Sequence, residues 1–203
     1  MVAHLDHGYS AEECRQAIAE GFTSVMFDGS KKPLRENIDE TAAIAEMAHH
    51  AGISCEGEIG FVGYAGGAAS AGTDPDEAAQ FAKETKVDAM AISVGNVHLQ
   101  QNKEGKLDEA RIAAIAAITT LPLVIHGGSG VPVNQRLALA TGSHICKFNI
   151  GTELRMAFGA ALRTALERDP NRFDRIAILK ETHDPVVQAV RVVLQGLGSS
   201  GRV

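Results

Sequence analysis

The segment Leu121-Pro122-Leu123-Val124-Ile125-His126-Gly127-Gly128-Ser129-Gly130-Val131-Pro132 reads as one complete unit: an apolar strand, a histidine at its end, a glycine-rich turn and the start of a helix. Consecutive glycines let backbone N–H groups converge on an anion, and the dipole of the helix that follows favours the same charge. Glycine-rich turns between strand and helix also arise for steric reasons alone, so the segment gains meaning from its repetition. Short apolar runs at residues 2–5, 23–27, 53–59, 89–94 and 145–148 carry the same pattern, each followed by a stretch of helical period. Ser10 is a candidate N-cap for a helix reaching about residue 20. The next helix opens near Pro33 with Leu34, Ile38, Ala42, Ala45 and Ala48 on one face; others open near Pro75, Leu107 and Pro132. Thr152 opens a long helix with Leu154, Phe158, Leu162 and Leu166 on its apolar side, and residues 185–194 read as a last apolar helix.

Alternating strands and helices suit either part of a (β/α)8 barrel or an open doubly wound sheet. The strand ends choose the barrel. Asp6 and His7, Asp28, Glu58, His98, His126 and Asn149 each fall at or just past the C-terminal end of a different predicted strand, where a barrel gathers its reactive groups and an open sheet would string them along an edge.

The chain has 203 residues, 45% of them hydrophobic, and a formal charge of -6, which suits one soluble domain over residues 1–203 and argues against nucleic acid as a partner. No apolar run reaches the roughly 18 residues of a membrane span, and the N-terminus has no basic region followed by an apolar one, so no membrane partner and a cytoplasmic location are expected. Cys14, Cys55 and Cys146 are odd in number and widely spaced, and suggest neither a disulfide framework nor a cysteine metal site. Residues 60–73, rich in Gly and Ala around Tyr64, read as a mobile loop.

Three histidines at strand ends, His7, His98 and His126, offer neutral imidazoles to a divalent cation and leave a fourth position open, as catalytic zinc requires. His4 lies three residues from His7, so strand alternation is expected to turn it the other way. The helical pair His49 and His50 is also left out. Asp28 and Ser30 ahead of Pro33 could equally cap a helix. Glu58, late in an apolar run between Gly57 and Gly60, needs a cation or a donor. Asn149-Ile150-Gly151-Thr152 occupies the place equivalent to the His126 turn on the next unit, and phosphate binding by the last two strand-to-helix loops recurs in barrels.

These segments, together with Ala3-His4-Leu5-Asp6-His7-Gly8, Phe27-Asp28-Gly29-Ser30, Glu58-Ile59-Gly60 and Gly95-Asn96-Val97-His98, resemble the class II fructose- and tagatose-bisphosphate aldolase family over almost the whole chain. The resemblance implies a (β/α)8 TIM-type barrel, with about six βα units present here. It implies that His7, His98 and His126 hold zinc, that Asp6 donates and accepts the proton, and that Asp28 and Glu58 serve a second metal position. Gly127, Ser129, Asn149 and Thr152 would hold the dihydroxyacetone-phosphate half of a phosphorylated sugar, with a monovalent cation near that phosphate and a homo-oligomer, dimer or tetramer, as the assembly.

The chain departs from the family in three ways. It begins inside what would be the third barrel strand. Leu99 stands where the family often has glycine after its middle zinc histidine, and the loop at residues 60–73 carries no carboxylate before Asp74. Lys147 is a Schiff-base candidate that would replace the metal route, since alternation turns it inward along with Asn149. A metal-dependent hydrolase of phosphorylated substrates and a non-catalytic accessory member of the family remain the rival readings.

Overall fold

A computed structural model describes residues 2–201. Six strands, β1 (His4–Gly8), β2 (Ser24–Phe27), β3 (Ser54–Ile59), β4 (Ala89–Ile92), β5 (Leu123–Ile125) and β6 (Ile145–Phe148), form one parallel sheet in sequence order. Between them run α1 (Ala11–Ala19), α2 (Leu34–His50), α3 (Pro75–Thr85), α4 (Glu109–Ile118) and α5 (Val133–Gly142), and α6 (Thr152–Arg168) and α7 (Arg175–Gly196) follow. The helix starts follow their caps. Ser10 accepts from the Glu13 N–H, Asp74 from Asp76 and Glu77 ahead of Pro75 at the first helical position, and Asp108 from Arg111.

The sheet is curled into a partial barrel. Neighbouring strands lie roughly 4.8 Å apart, so in a flat sheet β1 and β6 would be about 24 Å from each other. Instead Lys147 Nζ of β6 lies 3.2 Å from His4 Nε2 of β1, and Asn149 Nδ2 just beyond β6 donates to Asp6 Oδ1 of β1 at 2.9 Å. Curling separates two apolar clusters. The larger, with Phe27, Ile38, Ile44, Phe81, Ile92, Ile115 and Ile125, lies between the sheet and its covering helices. The smaller, Met26, Ala91 and Val124 with Ala89 against it, fills the concave side. Small side chains on the concave face of β4 leave the room in which the polar groups above them sit.

Two boundaries differ from the sequence expectation. The first strand runs from His4 to Gly8, not over residues 2–5, because it continues through Asp6 and His7 to reach its pairing with Phe27. The last helix begins at Arg175, with Asp174 accepting from Ile176 and Ala177, and Pro185 lies inside it instead of opening it. Pro185 is exposed, so the carbonyl that loses its helical partner can bond to water. Among the described residues no helix is long and apolar enough to cross a membrane.

Candidate metal centre

β1 ends in a bulge. His4 pairs with Ser24 and Leu5 with Val25, but Gly8 pairs with Phe27, so three steps along β1 match two along β2. His7 takes up the extra residue with φ 56°, in the left-handed region. The expectation that His4 and His7 face opposite ways is therefore corrected: alternation holds only in a regular strand, and the bulge brings His4, Asp6 and His7 all to the same cavity.

His7 is anchored by Asp28 at the end of β2. Its Nδ1–H donates to Asp28 Oδ2 at 2.8 Å, while Asp28 Oδ1 accepts from the Ser30 N–H and hydroxyl. Asp28 is therefore not a helix cap; α2 starts at Leu34 after Pro33, with no side-chain cap bond. Burial alone would raise the Asp28 pKa, but the bonds from His7 and Ser30 outweigh it and hold the carboxyl below its ordinary value. Burial likewise pulls His7 down, yet the Asp28 bond and the charges of Asp6, Asp28 and Glu56 leave its pKa raised.

His126, at the end of β5, is fully buried. Its Nε2 lies 3.0 Å from Glu56 Oε1, and its Nδ1 lies 2.9 Å from His7 Nε2. With each outer nitrogen donating to a carboxylate, two neutral rings would set their inner lone pairs head-on, and a proton on His7, which its raised pKa favours, turns the contact into a hydrogen bond. Only a shared proton or a cation relieves that arrangement. His98 completes the group, its ring centroid 5.2 Å from His7 and 5.8 Å from His126, with one nitrogen of each of the three histidines within 4.8 Å of the others. Burial, then the charges of His7 and His126, lower the His98 pKa to about 4, so its lone pair is free at neutral pH. Backbone bonds from His98 N–H to Gly63 and from Ala65 N–H to His98 hold its loop against the loop of residues 60–73, and Tyr64 from that loop stacks on the His98 ring at 4.9 Å. The buried Asn96 side chain donates to the carbonyls of Ile92 and His126, tying this loop to two strand ends.

Glu58 sits behind His7 with 1% exposure, and its Oε2 has no hydrogen-bond partner. That oxygen is 3.8 Å from His7 Nδ1 and from His126 Nδ1. Burial first, then the charges of Asp28, Glu56 and Asp6, raise its pKa well above the ordinary carboxylate range. Ligand atoms of His7, Asp28 and Glu58 form a second cluster within 4.8 Å. Two intersecting donor sets, one of three imidazoles and one of an imidazole with two carboxylates, therefore share His7, and an orphaned buried oxygen and an opposed pair of imidazole nitrogens both suit a cation.

In front of the histidines lies a cavity of about 450 Å³. Asp6 lines it, its carboxylate held by Asn149 Nδ2. Gly127, Ser129, Asn149 and Thr152 line the same cavity, and Arg155 reaches it too. Gly127 has φ +64°, and a Cβ there would come 2.3 Å from the Val97 carbonyl oxygen, so the position admits glycine. Leu99 adopts φ 59° and is 49% exposed at the cavity mouth, so it holds a left-handed conformation that glycine adopts without strain.

Glu56 is the group the sequence reading missed. It lies two residues before Glu58 on the same inward face of β3, and that period was the available signal. It is 4% exposed and accepts from Lys147 Nζ at 2.6 Å. Burial would raise its pKa, but the bonds from His126 and Lys147 bring it down to about 2.

The fructose-bisphosphate aldolase class II family model matches residues 1–202. A fructose-bisphosphate aldolase from Geobacillus stearothermophilus is 39% identical over all of this chain and 71% of its own length. A 6-phospho-5-dehydro-2-deoxy-D-gluconate aldolase from Shouchella clausii is 39% identical over all of this chain and 70% of its own. Among solved structures, the YdjI aldolase of Escherichia coli K12 superposes with TM-score 0.80 at 30% identity, covering 98% of this chain and 69% of its own. The fructose-bisphosphate aldolase of Campylobacter jejuni, at 18% identity and TM-score 0.78, shares the fold.

Proposed function

This chain belongs to the class II fructose-bisphosphate aldolase family, and we propose that it cleaves a phosphorylated ketose reversibly into dihydroxyacetone phosphate and an aldehyde, with zinc held by His7, His98 and His126. The observation that carries this reading is the opposed pair of imidazole nitrogens, 2.9 Å apart, with their outer nitrogens committed to Asp28 and Glu56. Such a pair with a third imidazole beside it suits a cation in the place of a shared proton.

When bound, zinc would supply Lewis-acid polarisation of the substrate's carbonyl oxygen. The chain's own residues do the rest. Asp6, pointed into the cavity by Asn149, takes the proton of the substrate's C4 hydroxyl as the C3–C4 bond breaks and returns it in the condensation direction. Gly127, Ser129, Asn149 and Thr152 hold the phosphate of the dihydroxyacetone half beside the N-terminus of α6, where the Ser129 hydroxyl accepts from the Glu153 N–H at 3.3 Å, and a monovalent cation would add to that charge balance. Arg155 offers a guanidinium to the second anionic group. Asp28 and Glu58 provide a second metal position with His7. The Lys147 ammonium is engaged by Glu56 and His4, which argues against a Schiff base there.

The test is zinc content per chain in protein purified without chelator, compared with a His98→Ala/His126→Ala double variant. It is followed by cleavage assays with fructose 1,6-bisphosphate and 6-phospho-5-dehydro-2-deoxy-D-gluconate, the substrates that the relatives' names indicate. Near-stoichiometric zinc that the double variant lacks, with zinc-dependent cleavage of either sugar, is the expected result. A folded wild-type chain without zinc or cleavage rejects the reading.

A further inference from the structure

Below the three histidines, one buried carboxylate gathers groups from three other strands. Glu56 of β3 takes Lys147 Nζ of β6 at 2.6 Å and the Nε2 of His126, just past β5, at 3.0 Å, and His4 Nε2 of β1 lies 3.8 Å away. Asn149 is a second candidate partner for the same imidazole nitrogen: its Nδ2 lies 3.3 Å from His126 Nε2 while donating to Asp6. The two neighbours make opposite demands. A carboxylate requires Nε2 to carry the proton, leaving Nδ1 as a lone pair toward His7; an amide N–H requires Nε2 to be the lone pair, which sends the proton to Nδ1. The shorter, charge-assisted bond wins as long as Glu56 is held in place.

We propose that Glu56, fixed by its ion pair with Lys147, is a positioning residue that selects the His126 tautomer with Nδ1 open toward His7, and so sets the cation affinity of the site. The inference rests on the reading of the three histidines as a cation site, but the tautomer it asserts belongs to the metal-free chain. Lys147 gains a function by it. The ammonium holds the carboxylate that orients a ligand, and its removal frees Glu56 to turn away from His126. His4 adds a third contact to the same carboxylate, and its own Nδ1 is taken up by the Ser24 hydroxyl at 2.9 Å.

Two measurements test the proposal. Long-range ¹H–¹⁵N NMR of the metal-free, ¹⁵N-histidine-labelled chain reads which ring nitrogen of His126 is protonated. The expected result is a proton on Nε2 in the wild type and on Nδ1 in Glu56→Ala, where Asn149 is the remaining partner. Zinc affinity by competition with a chromophoric chelator is the second, with roughly a 10- to 100-fold loss expected for Glu56→Gln and Glu56→Ala. Lys147→Met separates positioning from bulk charge: losing a nearby positive charge would strengthen zinc binding by electrostatics alone, whereas loss of the Glu56 anchor weakens it. A weakened Lys147→Met supports the proposal. An unchanged tautomer in Glu56→Ala, or tighter zinc in Lys147→Met, overturns it. If Glu56→Ala does not fold, Glu56→Gln and Lys147→Met carry the test. A wild-type chain that binds no zinc yet shows the tautomer change sinks the metal reading and leaves the positioning role standing.

Discussion

Replacing Glu58 by Gln should stabilise the metal-free chain at neutral pH and leave it unchanged in acid. Glu58 Oε2 is buried without a partner, and the charges of Asp28, Glu56 and Asp6 further disfavour its ionised form. In the unfolded chain the carboxyl ionises at its ordinary value of roughly 4.3. Its folded pKa is raised, so between the two values the native state binds more protons than the unfolded state and stability falls as pH rises. Below the unfolded value the residue is neutral in both states and costs nothing; above the folded value the full cost is present. Gln has the same shape and does not titrate, so the difference between the chains isolates this term. The difference is the linkage term, about 1.4 kcal/mol for each pH unit between the unfolded and folded values, and each kcal/mol moves the melting temperature of a chain this size by roughly 2–4 °C. Thermal denaturation with excess chelator, from pH 4 to 8, should therefore show the two curves converging in acid, with Glu58→Gln higher by several degrees at pH 7.5. A variant that melts lower than wild type at pH 7.5, or an advantage that persists undiminished at pH 4, would refute the argument that Glu58 is a strained, cation-seeking carboxyl.

Zinc at about 100 times its dissociation constant should raise wild-type stability by about 2.7 kcal/mol, seen as a rise in melting temperature that the His98→Ala/His126→Ala double variant lacks. Asp6→Asn should keep that zinc-induced rise while cleavage falls by about 10²-fold or more, since the amide keeps the shape and loses the base; comparable cleavage in a steady-state assay would remove Asp6 from its role. Leu99→Gly relieves a left-handed backbone worth about 1–2 kcal/mol against a glycine entropy cost of about 0.4–1 kcal/mol, so urea denaturation should show a net gain of about 1 kcal/mol. Gly127→Ala places a methyl 2.3 Å from the Val97 carbonyl oxygen and should cost about 1–3 kcal/mol by the same method, together with loss of inorganic phosphate binding in calorimetry.

The sequence by itself determined the order of strands and helices, because apolar periodicity and capping residues such as Ser10, Asp74 and Asp108 act over a few neighbours. It also determined which strand ends carry His7, Asp28, Glu58, His98, His126 and Asn149, since a parallel sheet of strand–helix units puts all those ends on one rim. Tertiary structure decided the rest. The bulge that turns His7 to the same side as His4 and Asp6 depends on how β1 pairs with β2, a relation between residues about 20 positions apart that alternation within one strand does not contain. Glu56 looked like any charged residue in a strand until curling of the sheet brought Lys147 and His126 to it across the barrel. Proline at 185 suggested a helix start because its ring suits a first turn; exposure on a helix already packed on α6 lets the chain run through it. Local pattern specifies which elements form and which side of each is apolar, whereas partners of buried polar groups are set only when distant strands close on one another, because a buried charge must find its counter-charge wherever the fold provides it.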